Sequence, residues 1–365
     1  MSTTRLSLVN AAKGVGCLVI VIHHLAVYGP MSEVIGAQYP KLIEALVTYG
    51  KLAVQMFFVF GGYFVAAQMT PRAMPTAVKA PALIWRRYKR LITPFLFAVT
   101  LAALITALVR PWFIHDSLSS APTIDQLLAH VFLLYDLIGL EALSAGVWYV
   151  AIDFQLFALT ALFTALCWRM PLGLQRLYPL LITALTAFSL WVLNRNESLE
   201  PYAPFFFGYY GLGVLAYWTA HTRLGRLGLV VIALLGVVAL WLEFRKAAAT
   251  ATITALLLAL ADLRGRLEHW GDRPVLNWLG ERSYSIFLIH YGICIGINAL
   301  WSVWFPTGLW INAMGIVVAV SLSLMAGAVL YRFVETRRSV LGRTPQTGLL
   351  LTAVALTLIL EYSLP

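Results

Sequence analysis

A lysine and a histidine stand eleven residues apart inside the first hydrophobic stretch, Lys13 and His24 in NAAKGVGCLVIVIHHLAVYG. Ionisable groups inside a bilayer are costly to keep and usually serve function. Eleven helical steps end only ~20° past three full turns, so both side chains share one helix face. They are also about 16 Å apart along the axis, too far to touch. Two different jobs at two depths follow: a point charge suited to an anion, and an imidazole suited to proton transfer near neutral pH.

The surroundings are those of a membrane protein. Of 365 residues, 61% are hydrophobic and 12% charged, about half the ~25% charged share of a soluble domain. The expected fold class is an all-α polytopic transmembrane helical bundle of about 10–11 spans. Hydropathy places them near 9–29, 45–68, 91–109, 147–167, 177–193, 203–220, 226–242, 247–262, 283–304, 308–331 and 347–363. The first stretch holds Lys13, His23 and His24 and lacks a cleavage signature, so it is read as a retained span. Cys17, Cys167 and Cys294 all lie in apolar stretches, which excludes a disulfide or zinc framework, and no metal site is expected.

With the N-terminus inside, nineteen of the 26 lysines and arginines fall on the cytoplasmic side and six outside, with Lys13 in the membrane. The +10 net charge is thereby a topology signal spread over many loops, not a nucleic-acid surface. One transmembrane domain over residues 1–365, without a fused soluble domain, is expected. The largest outer loop, about 110–146, carries LLAHVFLLYDLIGL, an interfacial or re-entrant helix over the outer face.

Depth links two spans. His24 lies about five residues from the outer end of span 1, and Asp153 about six from the same surface in span 4. Both then sit roughly 7–9 Å deep, where a carboxylate would fix the imidazole tautomer and raise its basicity. On the cytoplasmic side, IWRRYKR opens span 3 with Arg86, Arg87 and Arg90, the last two on one face. With Lys13 they form a basic layer suited to phosphates. Ser283 and Tyr284 stand at the inner mouth of span 9, with His290 two turns deeper, where a structural and a functional role are equally open. Gly61-Gly62 and the glycines of FFFGYYGLG read as helix-packing devices. Glu335 in YRFVETRR reads as an ion-pair anchor.

Taken in order, these residues resemble the acyltransferase-3 family of integral membrane O-acyltransferases. The resemblance rests on Lys13-x10-His24, where the family has Arg-x10-His, and on Phe57 to Gly62. It continues through the Arg87/Arg90 pair, Trp148 with Asp153 in a Trp-x4-acid pattern, Ser283 to Gly292, and Tyr331 to Glu335. It implies transfer of an acyl group, acetyl by default, from acyl-CoA on the cytoplasmic side to a hydroxyl of a carbohydrate, glycolipid or other envelope or secreted acceptor. Lys13, Arg86, Arg87, Arg90, Ser283 and Tyr284 would hold the donor. His24, aided by Asp153, would deprotonate the acceptor or carry the acyl group briefly. No permanently bound cofactor is implied; acyl-CoA is the donor substrate. The implied setting is the plasma, bacterial inner, membrane, with membrane lipids around the chain and polysaccharide-pathway proteins or a second copy as further partners. The competing readings are a proton-coupled transporter or flippase for a lipid-linked sugar or small acid, and a non-catalytic assembly subunit.

Overall fold

The structure is a computed structural model and describes residues 6–336. Fourteen α-helices follow one another, with no strand among the described residues. They are α1 (Ser7–Val27), α2 (Pro30–Gln38), α3 (Pro40–Gly50), α4 (Ala53–Met69), α5 (Ala80–Val109), α6 (Ile124–Phe132) and α7 (Val147–Trp168). Then come α8 (Leu172–Gln175), α9 (Tyr178–Trp191), α10 (Ala203–His221), α11 (Gly225–Leu242), α12 (Lys246–Leu263), α13 (Pro274–Trp304) and α14 (Leu309–Leu330). A single π-turn, Tyr331–Glu335, continues α14.

Ten of the eleven expected spans fall in the described region, and each is helical; the last, 347–363, lies outside it. Among the described residues, eight stretches are long and apolar enough to cross a membrane, α3–α4 counting as one. α9, with 14 residues, is too short to be among them, and α10 is not among them either. This is an all-α polytopic bundle.

Two spans are longer than hydropathy predicts. α5 begins at Ala80 and α13 at Pro274, each about nine to eleven residues before the apolar run. Arg86, Arg87 and Arg90 therefore lie inside α5, in its second and third turns, not at its mouth. Hydropathy could not see this, because a helix extends through polar residues wherever its backbone hydrogen bonds continue. Pro94 is likewise inside α5. The outer-loop helix is shorter than its apolar pattern. α6 opens on a capping box, Thr123 with Gln126, and stops at Leu133, whose φ of 57° ends the hydrogen-bond ladder.

The chain divides into two compact units. Among the described residues the first comprises 6–13, 52–88 and 151–280; the second 14–51, 89–150 and 281–336. In the first unit α10 is the centre, packed by α4, α9, α11 and α12. Its glycines explain the closeness. A Cβ on Gly62 would stand 1.8 Å from the Tyr210 carbonyl oxygen, and one on Gly213 would stand 1.9 Å from that of Val59. Gly208 and Gly211 press in the same way on Leu190 and Thr186 of α9. Small residues let backbones meet where no hydrophobic drive favours association. At one end of this unit the Tyr63 hydroxyl donates to Asp262 at 2.6 Å, and His221 lies 3.3 Å from the same carboxylate.

In the second unit, Ala102, Val109, Phe113, Tyr291, Ile295 and Ala299 form a buried cluster against which Tyr28, Ile105 and Leu118 pack. A polar clamp adjoins it. Asn298, fully buried, accepts from the Met31 N–H at 3.2 Å and donates to the Tyr28 carbonyl at 3.2 Å. The chain wraps around this side chain at Gly29, whose φ is +107° and whose Cβ would sit 2.2 Å from Asn298 Cγ. Only glycine fits there. Cys17, Cys167 and Cys294 are free thiols, each 2% exposed or less.

Candidate active site

The second unit pairs two histidines. His24 Nδ1 lies 2.6 Å from His290 Nε2, with the rings parallel within 2° and their centroids 4.9 Å apart. His290 Nδ1 is 2.6 Å from the Phe287 carbonyl oxygen. That carbonyl can only accept, so His290 Nδ1 carries a proton. In a neutral His290 the lone pair is then at Nε2, and His24 Nδ1 must donate to it. A neutral His24 therefore presents its own lone pair at Nε2, the form a general base needs. Both residues are buried, His290 completely.

The sequence places these groups by spacing. His24 and Tyr28 are four apart at the end of α1, and His290, Cys294 and Asn298 are four apart on α13. Each set lies along one helix face. The Tyr28 ring is 5.6 Å from that of His24 and meets Tyr291 edge-on at 5.5 Å. Gly146, at φ +80°, closes one side: a Cβ there would be 3.2 Å from His24 Cε1 and 3.1 Å from Phe287 Cζ. His23 turns elsewhere, its Nδ1 3.2 Å from the Leu46 carbonyl oxygen.

Asp153 belongs to the first unit, where Arg87 donates to it at 2.5 Å. The Asp153 side chain is 6% exposed and that of Arg87 28%, and the guanidinium also covers the Phe157 ring at 5.3 Å. Gly61 makes room beside the pair; a Cβ there would be 3.1 Å from Asp153 Oδ1. The expected partner of Asp153 was His24, from two offsets measured to one surface. α7 begins directly after Gly146, the glycine that touches His24. The partner of the Asp153 carboxylate is Arg87.

The other expected site residues are dispersed. Lys13 is half-buried on α1, eleven residues before His24 in one continuous helix. Arg86 and Arg90 are exposed on α5. Ser283 is buried, and its carbonyl accepts from the Cys17 thiol at 3.2 Å. The Tyr284 hydroxyl donates to the Leu91 carbonyl at 2.9 Å. Glu335 accepts from the Ser285 hydroxyl at 2.7 Å, while Arg282 covers the Tyr331 ring at 4.9 Å.

A family model described as an acyltransferase domain matches residues 7–332, nearly the whole chain. The chain belongs to the acyltransferase-3 family. It is an integral membrane acyltransferase, by that membership and by its eight long apolar helices. Neither the search of curated proteins nor that of solved structures found a match. In this acyltransferase the histidine pair is the arrangement best suited to proton transfer. Sequence reasoning left His290 undecided between structure and function. The i, i+4, i+8 spacing of His290, Cys294 and Asn298 in a stretch free of charge was the signal that could have singled it out.

Proposed function

We propose that this acyltransferase moves an acyl group, acetyl by default, from acyl-CoA to a hydroxyl of a carbohydrate or other envelope acceptor. The observation that carries the reading is the relay from the Phe287 carbonyl through His290 to His24. It leaves His24 Nε2 as a base with a fixed tautomer. The acceptor hydroxyl gives its proton to Nε2 as its oxygen bonds to the thioester carbonyl carbon. The carbon–sulfur bond then breaks, and the thiolate takes the proton back from the imidazolium. His290 remains an acceptor for His24 Nδ1–H throughout, so it steadies the imidazolium without being protonated itself.

The donor's phosphates are assigned to Arg87 with Arg86, Arg90 and Lys13, charges that suit polyanions. Ser283 and Tyr284 stand by on α13. Asp153 is assigned to Arg87, orienting the guanidinium, and not to His24. The proposed orientation puts the N-terminus in the cytoplasm of a bacterial inner membrane, with donor entering there and acceptor arriving at the opposite side. That orientation rests on the 19-to-6 charge asymmetry of the sequence.

The test is release of CoA and transfer of radiolabelled acetyl from acetyl-CoA by purified protein in vesicles. Turnover that is lost in His24→Ala and kept in His23→Ala supports the assignment. Equal loss in both, or no turnover of any acyl-CoA by the wild type, overturns it. Proton-coupled uptake without acyl transfer would turn the reading to a transporter.

A further inference from the structure

Two backbone donors at the amino end of α7 have no acceptor. Gly146 and Val147 are buried, Val147 completely, and neither N–H is hydrogen-bonded among the described residues. The turn itself is in order: the Tyr149 N–H donates to the Gly146 carbonyl at 3.1 Å. A helix leaves its first N–H groups without intrahelical partners, pointing out of its amino end. Buried and unpaired, such groups are rare, and each costs free energy comparable to a lost hydrogen bond. Here that end stands against the base. Gly146 lies at φ +80°, and a Cβ on it would be 3.2 Å from His24 Cε1, the ring atom between the two nitrogens.

A second, independent observation points to a ligand at the same place. His24 is 9% exposed, its Nδ1 is taken by His290, and its Nε2 has no partner among the described residues. Nε2 is not sealed off from accessible space. An open imidazole acceptor with two amide donors beside it suits a ligand of opposite needs: a hydroxyl that gives up a proton, and an oxygen that takes on negative charge. Acyl transfer supplies both at once. In its tetrahedral intermediate the acceptor oxygen and the former carbonyl oxygen are bonded to one carbon. An oxyanion donor must therefore lie within two hydrogen-bond lengths, ~6 Å, of the base. Gly146, in contact with the atom next to Nε2, meets that condition.

We propose that the Gly146 and Val147 N–H groups form the oxyanion hole of this acyltransferase. This rests on the acyl-transfer reading above and adds catalytic groups to the same site. The acceptor oxygen bonds to the thioester carbon as its proton passes to His24 Nε2. The carbonyl π pair moves onto its own oxygen, where the two N–H groups and the positive end of α7 receive it. The pair then returns to re-form the carbonyl, the carbon–sulfur bond breaks, and the thiolate takes the proton from the imidazolium. Glycine serves at 146 because a side chain there would wedge the helix end off the ring.

The experiment removes one donor in two ways in the full chain, purified into lipid nanodiscs. Incorporating α-hydroxyisovaleric acid at 147 turns the amide into an ester, which deletes the N–H and keeps the side chain. Val147→Pro deletes it genetically, at a first helical position, where proline is well tolerated. Val147→Ala keeps the N–H and measures what the lost packing alone costs. The ester and Val147→Pro should each lower kcat for acetyl transfer about 100- to 1,000-fold, the value of one oxyanion donor, with the acetyl-CoA KM little changed. Val147→Ala should stay far closer to the wild type. Calorimetry with CoA, which has no thioester carbonyl, should give the wild-type affinity in all three, and gel filtration and circular dichroism confirm that each is folded. A kcat in both N–H-less forms equal to that of Val147→Ala overturns the oxyanion hole and leaves the acyl-transfer reading standing. A wild type that turns over no acyl-CoA overturns that reading, and this proposal with it.

Discussion

His290 holds the proton of its Nδ1 against the Phe287 carbonyl and turns its Nε2 toward His24, 2.6 Å away. A backbone carbonyl thus does, at one remove, what a carboxylate does in other histidine bases: it selects the tautomer. A carbonyl adds less basicity than a carboxylate, but it brings no charge that would have to be buried.

Removing His290 should therefore cost rate more than binding. His290→Ala is expected to lower kcat by roughly 10–100-fold, the range for losing an orienting partner, with donor KM little changed. His290→Gln should recover part of the rate, because its amide oxygen can accept from His24 Nδ1–H. Steady-state kinetics of acetyl transfer check this; a fall in donor KM effects alone would speak for a structural role.

The Arg87–Asp153 pair predicts an asymmetry between single and double changes. Breaking a fully buried pair costs ~3–5 kcal/mol. With the Arg87 side chain 28% exposed, each of Arg87→Met and Asp153→Leu should cost less, about 1–3 kcal/mol. The double variant should be more stable than either single one. Thermal unfolding in detergent measures this. Calorimetry with CoA should also show weaker binding in Arg87→Ala, by about ten- to a hundredfold for a charge-assisted contact.

Gly62→Ala and Gly213→Ala should both lower the melting temperature. Each new methyl meets a carbonyl oxygen of the facing helix, not a side chain that can turn away. Overpacking of this kind costs typically 1–3 kcal/mol. Gly139→Ala, with nothing within 4 Å of its Cβ, tests an open site; any loss there comes from its φ of 71° alone.

The loop that carries Gly146 should weaken in mild acid. His130 on α6 is lowered from 6.5 to about 4, chiefly by burial, against a smaller raising effect of the Gln126 carbonyl. Its Nε2 accepts from the Leu143 N–H at 3.1 Å, which only the neutral ring can do. The unfolded chain takes up a proton near pH 6.5 and the folded chain only near 4. Stability is complete above 6.5 and falls as pH drops through that window. Hydrogen exchange at Leu143 should accelerate from pH 7 to pH 5 beyond its intrinsic trend, and a His130→Gln variant should lose that excess.

Much of this was legible beforehand. Lys13 and His24 share one unbroken helix as their spacing requires, and the glycines of FFFGYYGLG pack helices as their size implies. Helix–helix partnership was less legible. His24 and Asp153 were joined by depth counted from helix ends, whereas the carboxylate of Asp153 takes Arg87 and the imidazole of His24 takes His290. Local periodicity fixes a face and a rise along one helix. It does not fix how far each helix is offset along its neighbour, which is set by contacts between residues distant in the chain, such as those of Gly146 with His24 and Asn298 with Met31. The loop between α5 and α7 misled for a related reason: its apolar pattern is continuous, yet the left-handed turn at Leu133 interrupts the helix.

The three cysteines have a practical consequence. All are sealed from solvent, Cys17 and Cys167 at 2% and Cys294 at 0%, so the native protein offers a silent background to thiol reagents. A reporter cysteine can be added without first emptying the chain of its own. Placed at Ile114, which is 96% exposed in the loop after α5, it would be tagged by an impermeant maleimide on intact spheroplasts if that loop faces outward. It would be protected if the loop faces the cytoplasm. A second reporter at Val275, exposed at the start of α13, should give the opposite answer, and the pair would decide the sidedness of acyl donor and acceptor without disturbing the core.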